Sequence, residues 1–202
     1  MPRPRSGRAE EILEHAMRLF SERGYDAVSV ADIQVAAGLT AGSGALYKHF
    51  PSKQALLEAG IDRFIGHGRE AFLELPELAG DDLETMLRCV GGVVLETLAE
   101  DRASLRVVWR DLPAFPALSR RFLDERLQEG FRRLGLWLAN LSDRGVADVE
   151  DPEGTAAVLL GALAFSRLME SVFDETPGCL TDQRLLDAWV HLAVRGLEVR
   201  SS

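Results

Sequence analysis

From Ile12 to Leu197 the apolar residues recur at intervals of three and four, and almost nowhere do they alternate with polar ones. Spacing near 3.6 residues places such positions on one face of an α-helix, whereas a half-buried strand needs a period of two. The pattern commits the chain to an all-α fold. Ile12, Leu13, Ala16, Met17 and Phe20 form the first apolar face, with Glu10, Glu11, Glu14 and Arg18 opposite, and Gly24 ends it. Ser29 with Asp32 makes a capping-box start for a short helix that turns Val30, Ile33 and Ala37 inward and stops at Gly38. A third short helix is expected up to about Phe50. Pro51 then breaks the chain, and Ser52 caps a long fourth helix carrying Leu56, Leu57, Ile61, Phe64 and Ile65.

After a break from Pro76 to Gly80, Asp81 with Glu84 starts a helix lined by Leu83, Met86, Leu87, Val90, Val94 and Leu98. A shorter one runs from Ala103 to about Asp111. Pro113 and Pro116 bracket a kinked connection into a long helix in which Leu123, Leu127, Phe131, Leu134, Leu138 and Leu141 keep the spacing, closed by Gly145. Asp151, Pro152 and Glu153 supply an N-cap, a first-turn proline and an acid for a helix reaching about Phe173, and a last helix starts near Thr181. About nine helices result, divided into an N-terminal domain at 1–55 and a larger body at 56–202. No apolar run approaches the roughly 18 to 20 residues of a membrane helix, and the arginine-containing start lacks the apolar block of a signal peptide. The chain reads as cytosolic. Cys89 and Cys179 form no C-x-x-C pair and read as reduced core thiols.

The net charge of −9 argues against a nucleic-acid partner only on average. Residues 1–53 carry +1 and the remainder −10, and both lysines, Lys48 and Lys53, fall beside a turn in the first part. An acidic body would turn the less acidic end toward DNA.

That end holds two short helices meeting near Gly38 after a longer amphipathic one, the helix-turn-helix arrangement. Gly38 permits the sharp turn, Leu39 plugs the angle, and Thr40 accepts N–H bonds at the start of the reading helix. Small residues at Ala41, Gly42, Ser43 and Gly44 let the helix end approach DNA, with Ser43 as a short donor to base or phosphate. Arg3, Arg5 and Arg8 form either an arm that tracks phosphates or a solubilising tail. The segments Ser29-Val30-Ala31-Asp32-Ile33, Ala36-Ala37-Gly38-Leu39-Thr40 and Gly44-Ala45-Leu46-Tyr47-Lys48-His49-Phe50-Pro51-Ser52-Lys53 resemble the TetR family of repressors. The resemblance spans about residues 8–57. It implies a three-helix head whose third helix enters the major groove, with Tyr47, His49 and Lys53 against the DNA backbone; Arg5, Ser29 and Lys48 complete the DNA-facing set. The family usually places five residues between its Ala-Gly and Leu-Tyr pairs, whereas Leu39 to Ala45 are seven. The two extra either lengthen the turn, with Ser43 as cap, or extend the reading helix from a cap at Thr40; the second is preferred.

The apolar run from Ala156 to Phe165, with Leu185, Leu186, Trp189, Leu192, Ala193 and Leu197, exceeds what one side of a body helix needs. Helices at about 152–173 and 181–198 are therefore expected to pair with a second copy as a four-helix interface, giving a homodimer on a palindromic operator. A small, largely apolar effector is expected inside the body. Candidate lining residues are Phe64, His67, Met86, Cys89 and Trp109 on one stretch and Arg110, Phe115, Phe131, Trp137 and Phe165 on the next, Arg110 being suited to an acidic group. Rival readings are a helical protein-interaction module and a helical enzyme. The sequence has no G-x-S-x-G, Walker loop, H-E-x-x-H or zinc spacing. A di-iron site fails too, because Ile12, Leu46, Phe64 and Ala188, not glutamate, stand three residues before the histidines. No catalytic residue, cofactor or metal is expected.

Overall fold

The computed structural model describes residues 7–73 and 82–197, and every regular element among them is helical. Arg3, Arg5, the break at 76–80 and the helix start expected at Asp81 lie outside the described residues. The order is α1 (Gly7–Arg23), α2 (Val30–Ala36), a 3-10 turn (Leu46–Lys48), α3 (Lys53–Leu73), α4 (Leu83–Glu100), α5 (Arg102–Arg110), α6 (Pro116–Phe122), α7 (Glu129–Asp143), α8 (Pro152–Phe173) and α9 (Asp182–Leu197).

Two compact units emerge, one ending at Phe64 but also taking Ala103–Arg120, the other made of Ile65–Arg102 and the chain from Arg121. The first, here called the head, thus extends beyond the division at 55 and recruits a segment that the sequence had placed in the body. Its core is the apolar face of α1 (Ile12, Leu13, Met17, Phe20) with Ile33, Leu46, Leu56, Leu57, Ile61 and Phe64, all closed to solvent. Each such side chain contributes about 1.5–3 kcal/mol of burial.

In the body, α8 packs on α7 and α4, and α9 packs on α4. Asp82, one residue after the expected position, caps α4 by accepting the Thr85 N–H at 3.0 Å, and Asp151 caps α8 by accepting from Gly154 at 2.9 Å. The long helix after Pro116 is interrupted by a π-helical stretch, Leu123–Gln128. Its wider turns rotate the apolar stripe, so Leu123 and Leu127 are each 38% exposed while Leu134, Leu138 and Leu141 are fully buried. Glu129 opens α7 and accepts from Arg132 at 2.8 Å and Arg133 at 2.5 Å. These hydrogen bonds hold its pKa at about 2 rather than 4.5. A carboxylate with a lowered folded pKa adds stability above its unfolded value and loses it as pH falls toward the folded one. Acid unfolding of Glu129→Gln, followed by circular dichroism, should therefore lack part of the wild-type loss between about pH 4.5 and 2.

Two expectations need correction. Among the described residues one helix, α8, is long and apolar enough to cross a membrane. It carries the buried Arg167, which bonds the α4 carbonyl of Leu95 at 3.2 Å and pairs with Asp182 of α9 at 2.7 Å, so its inner face belongs to a protein core. Cys89 and Cys179 are free as expected, but both are exposed: Cys89 falls off the buried stripe of α4, and Cys179 ends a short 3-10 turn.

Candidate nucleic-acid interface

The capping box at α2 forms as its residues suggest. Ser29 Oγ accepts the Asp32 N–H at 3.1 Å, and Asp32 Oδ2 accepts the Ser29 N–H at 2.8 Å. Hydrogen bonds from the Ser29 side chain and backbone hold the Asp32 carboxyl below its usual range. The other end closes in a Schellman arrangement, with Leu39 N–H on Gln34 O at 2.7 Å, Gly38 N–H on Val35 O at 3.0 Å, and Gly38 at φ +67°. Arg8 is not part of an arm. It lies in α1, and its guanidinium donates to Ala37 O at 2.6 Å, tying α1 to the end of α2.

The reading segment differs from expectation. Neither Thr40 nor Ser43 caps an α-helix; residues 39–45 form turns, and only the single 3-10 turn Leu46–Lys48 follows. The two extra residues thus lengthen the turn. Two glycines within it, each about 1 kcal/mol poorer than alanine in a helix, oppose a longer helix. Ser43 N–H reaches Thr40 O at 3.1 Å, and Gly42 sits at φ +74°, which a side chain would strain. Gln34 of α2 spans this turn: its Oε1 accepts the Gly42 N–H at 2.9 Å and its Nε2 donates to Ser43 O at 2.5 Å.

Thr40, Ala41, Gly42, Gly44, Tyr47, Lys48 and His49 are all exposed along this one segment, over the buried anchors Leu46 and Phe50. Ser43 is the exception, since its Oγ is buried without a hydrogen-bond partner. Lys53 is also committed inward. Its Nζ donates to Tyr25 O at 2.9 Å and Val28 O at 3.0 Å and lies 4.1 Å above the Tyr25 ring. Tyr25 stacks edge-on with Phe115 at 5.0 Å and tilts against Phe20 at 5.3 Å. Burial, then Asp26 and Glu58, raise its pKa. Arg110 donates to Phe20 O and Ser21 O, the last carbonyls of α1, where a cation also meets the negative end of the helix dipole.

The ten candidate lining residues divide between the two units. Phe64, Trp109, Arg110 and Phe115 belong to the head; the other six belong to the body. Arg110 and Phe115 are engaged by α1 and Tyr25. Trp109, Cys89 and Phe165 face solvent, which removes them from an enclosed wall in this conformation. Met86 and Trp137 are buried in the body, Phe131 is half-buried, and His67 Nδ1 lies 3.3 Å from the buried Asp101. Sequence reasoning missed Gln34, although a polar residue at i+4 from Val30 and i−3 from Ala37, on the inner stripe, was the available signal.

Residues 12–59 match the family described as bacterial regulatory proteins, tetR family, and residues 85–196, more than half of the chain, match the AefR-like transcriptional repressor C-terminal domain. The chain belongs to the TetR family. A relative, the HTH-type transcriptional repressor KstR2 of Rhodococcus jostii, is 30% identical over 144 residues, covering 71% of this chain and 68% of its own. Among solved structures, the fatty acid degradation regulator FadR of Bacillus halodurans superposes with a TM-score of 0.75 at 20% identity, over 98% of this chain and 100% of its own. AibR, solved with isovaleryl coenzyme A and operator DNA, gives 0.70 at 24% identity, over 92% and 97%. This TetR-family protein is accordingly a DNA-binding transcriptional regulator of repressor type, not an enzyme.

Proposed function

We propose that the protein is a homodimeric repressor that holds a palindromic operator and releases it when a small, largely apolar effector enters the body. The observation that carries the DNA half is the set of exposed residues between Thr40 and His49, with Tyr47, Lys48 and His49 as its side-chain contacts and the Ala41 and Gly44 N–H groups as its backbone donors to phosphate. Lys53 acts from behind, fixing the 25–28 turn instead of meeting phosphate. An operator partner places the protein in the cytoplasm.

For the dimer, α8 and α9 offer the surface. Val158 is 73% exposed, Phe165 56%, Phe173 67% and Leu192 72%, although no large apolar side chain gains by facing water. Paired α8 and α9 helices from two copies would cover them.

The apolar part of the effector takes its first model from AibR, whose isovaleryl coenzyme A presents a short branched acyl chain on a large, polyanionic carrier. Release follows by population shift: the ligand prefers a dimer whose heads no longer match successive major grooves. Two connections carry that preference to the head. One is the continuous helix α3; the other is the Ala103–Arg120 segment, which grips α1 through Arg110 and Tyr25 through Phe115.

A duplex that wild-type protein selects from a randomised library tests both halves. Lys48→Ala should weaken binding to every duplex alike and reduce the slope of log affinity against log salt by about two, one for the lysine of each subunit. Isovaleryl coenzyme A, or a longer acyl thioester, should displace the selected duplex. An unchanged salt slope removes Lys48 from the interface, and tight thioester binding without displacement overturns the release mechanism.

A further inference from the structure

Gln34 lies on the inner stripe of α2, next to Ile33 and one turn before Ala37, and is only 1% exposed. A primary amide withdrawn from water has to place a carbonyl oxygen and an NH2 group, and leaving either unmatched disfavours the fold. Both find the same loop. The Gly42 N–H can meet only the oxygen and the Ser43 carbonyl only the nitrogen, so the two partners fix which way the amide points. The loop's own backbone supplies little else between Leu39 and Ala45, chiefly the Ser43-to-Thr40 turn. An α-helix would satisfy these groups by its own ladder; here a side chain from the neighbouring helix takes that place. The exposed residues Tyr47, Lys48 and His49 begin four residues after the clamped carbonyl.

We propose that Gln34 is the positioning residue of the DNA-reading loop, its carboxamide holding Gly42 and Ser43 so that the flanking Ala41 and Gly44 N–H groups and Tyr47, Lys48 and His49 meet the duplex in one geometry. This rests on the operator-binding reading above. A loop ordered before DNA arrives gives up less conformational freedom on binding, so the clamp raises affinity. It also sharpens sequence preference, because a loop free to re-settle accommodates mismatched sites. The two residues that lengthen the turn are what make the clamp necessary.

The test uses full-length Gln34→Ala and Gln34→Glu proteins and a fluorescein-labelled copy of the duplex that the wild-type protein selects. Loss of both hydrogen bonds in Gln34→Ala should weaken binding at least about tenfold and flatten the preference for the selected duplex over single-mismatch versions. Gln34→Glu keeps the shape and adds a pH-dependent readout. Its carboxylate accepts from Gly42 but faces the Ser43 oxygen without a proton; the protonated acid donates again, and burial brings that protonation toward neutral pH. Binding by Gln34→Glu, divided by wild-type binding at the same pH, should improve at least about fivefold between about pH 8 and pH 6. Asp32 on α2, Arg8 reaching from α1, and Lys48 and His49 after the loop are common to both proteins and cancel in the ratio. Should Gln34→Ala fail to fold, judged by its circular dichroism melt, the Gln34→Glu ratio decides alone. A flat ratio, or a folded Gln34→Ala that binds within about twofold with unchanged preference, overturns the proposal. Wild-type protein that selects no duplex at all sinks the operator reading instead, and the proposal with it.

Discussion

Phe165→Glu protein should sediment as a monomer, and its affinity for a two-half-site operator should fall by about two orders of magnitude or more, the factor that linking two binding modules supplies. Val158, Ala162, Phe165 and Met169 follow one another by four, three and four along α8, the spacing of a helix–helix seam. Phe165 stands at its middle, 56% exposed, with exposed Val158 and Phe173 toward the two ends. A carboxylate placed there would lose its water on assembly, a cost that an apolar seam does not offset. Inward-facing Leu159, Leu160 and Leu163 are untouched, so the helical signal persists while the subunits separate. Binding to an isolated half-site should be nearly unchanged, which separates loss of dimer from damage to the head. Sedimentation and half-site titration read both. A double Val158→Glu, Phe165→Glu protein that still sediments as a dimer would place the interface elsewhere.

On the opposite face of the same helix, Arg167→Ala should lower the unfolding free energy by about 2–3 kcal/mol in a urea titration. Arg167 is 5% exposed, and its three nitrogens reach three structural elements: Leu95 O of α4, Glu170 at 2.6 Å within α8, and Asp182 at the start of α9. Burial works against its charge, but the hydrogen bonds to Asp182 and Glu170 outweigh it and raise its pKa. Removing the side chain leaves the Leu95 carbonyl with one acceptor site unfilled and opens a void between three helices. The two carboxylates keep partial contact with water and so limit the loss. Arg167→Met, which refills the volume, should recover a good part of the stability, and salt should change the wild-type value little because the guanidinium is shielded from screening. A loss below about 0.5 kcal/mol for Arg167→Ala would mean that α8 is held by its apolar contacts alone.

The helical period, the capping residues and the Gly and Pro stops placed most elements within a residue or two. Ser29, Ser52, Asp151 and Thr181 each cap the helix that their position suggests. These are local effects, decided within one turn of chain, which is why a linear reading reaches them. The reading segment was misjudged because Gly42 and Gly44 weigh against a helix over residues 39–45, where Gln34 from eight residues earlier bonds the turn instead. Three of the ligand candidates show a different limit. Trp109, Cys89 and Phe165 have the composition of a cavity wall and the exposure of a surface, and only the rotation of each helix about its axis tells the two apart.

What the amino-acid order determined by itself is the all-α fold, the capped start of α2, the motif from Gly44 to Lys53 and hence the family, because each depends on residues within a few turns of one another. Tertiary structure alone decided that Lys53 and Arg110 brace the head from inside, that Arg8 ties α1 to α2, and that the extra residues before Leu46 form a clamped loop. Each of those outcomes depends on a hydrogen bond outside the helical ladder, to a carbonyl 25 or more residues away for Lys53, Arg110 and Arg8 and to the Gln34 side chain for the loop, and such a bond leaves no periodic trace in the sequence.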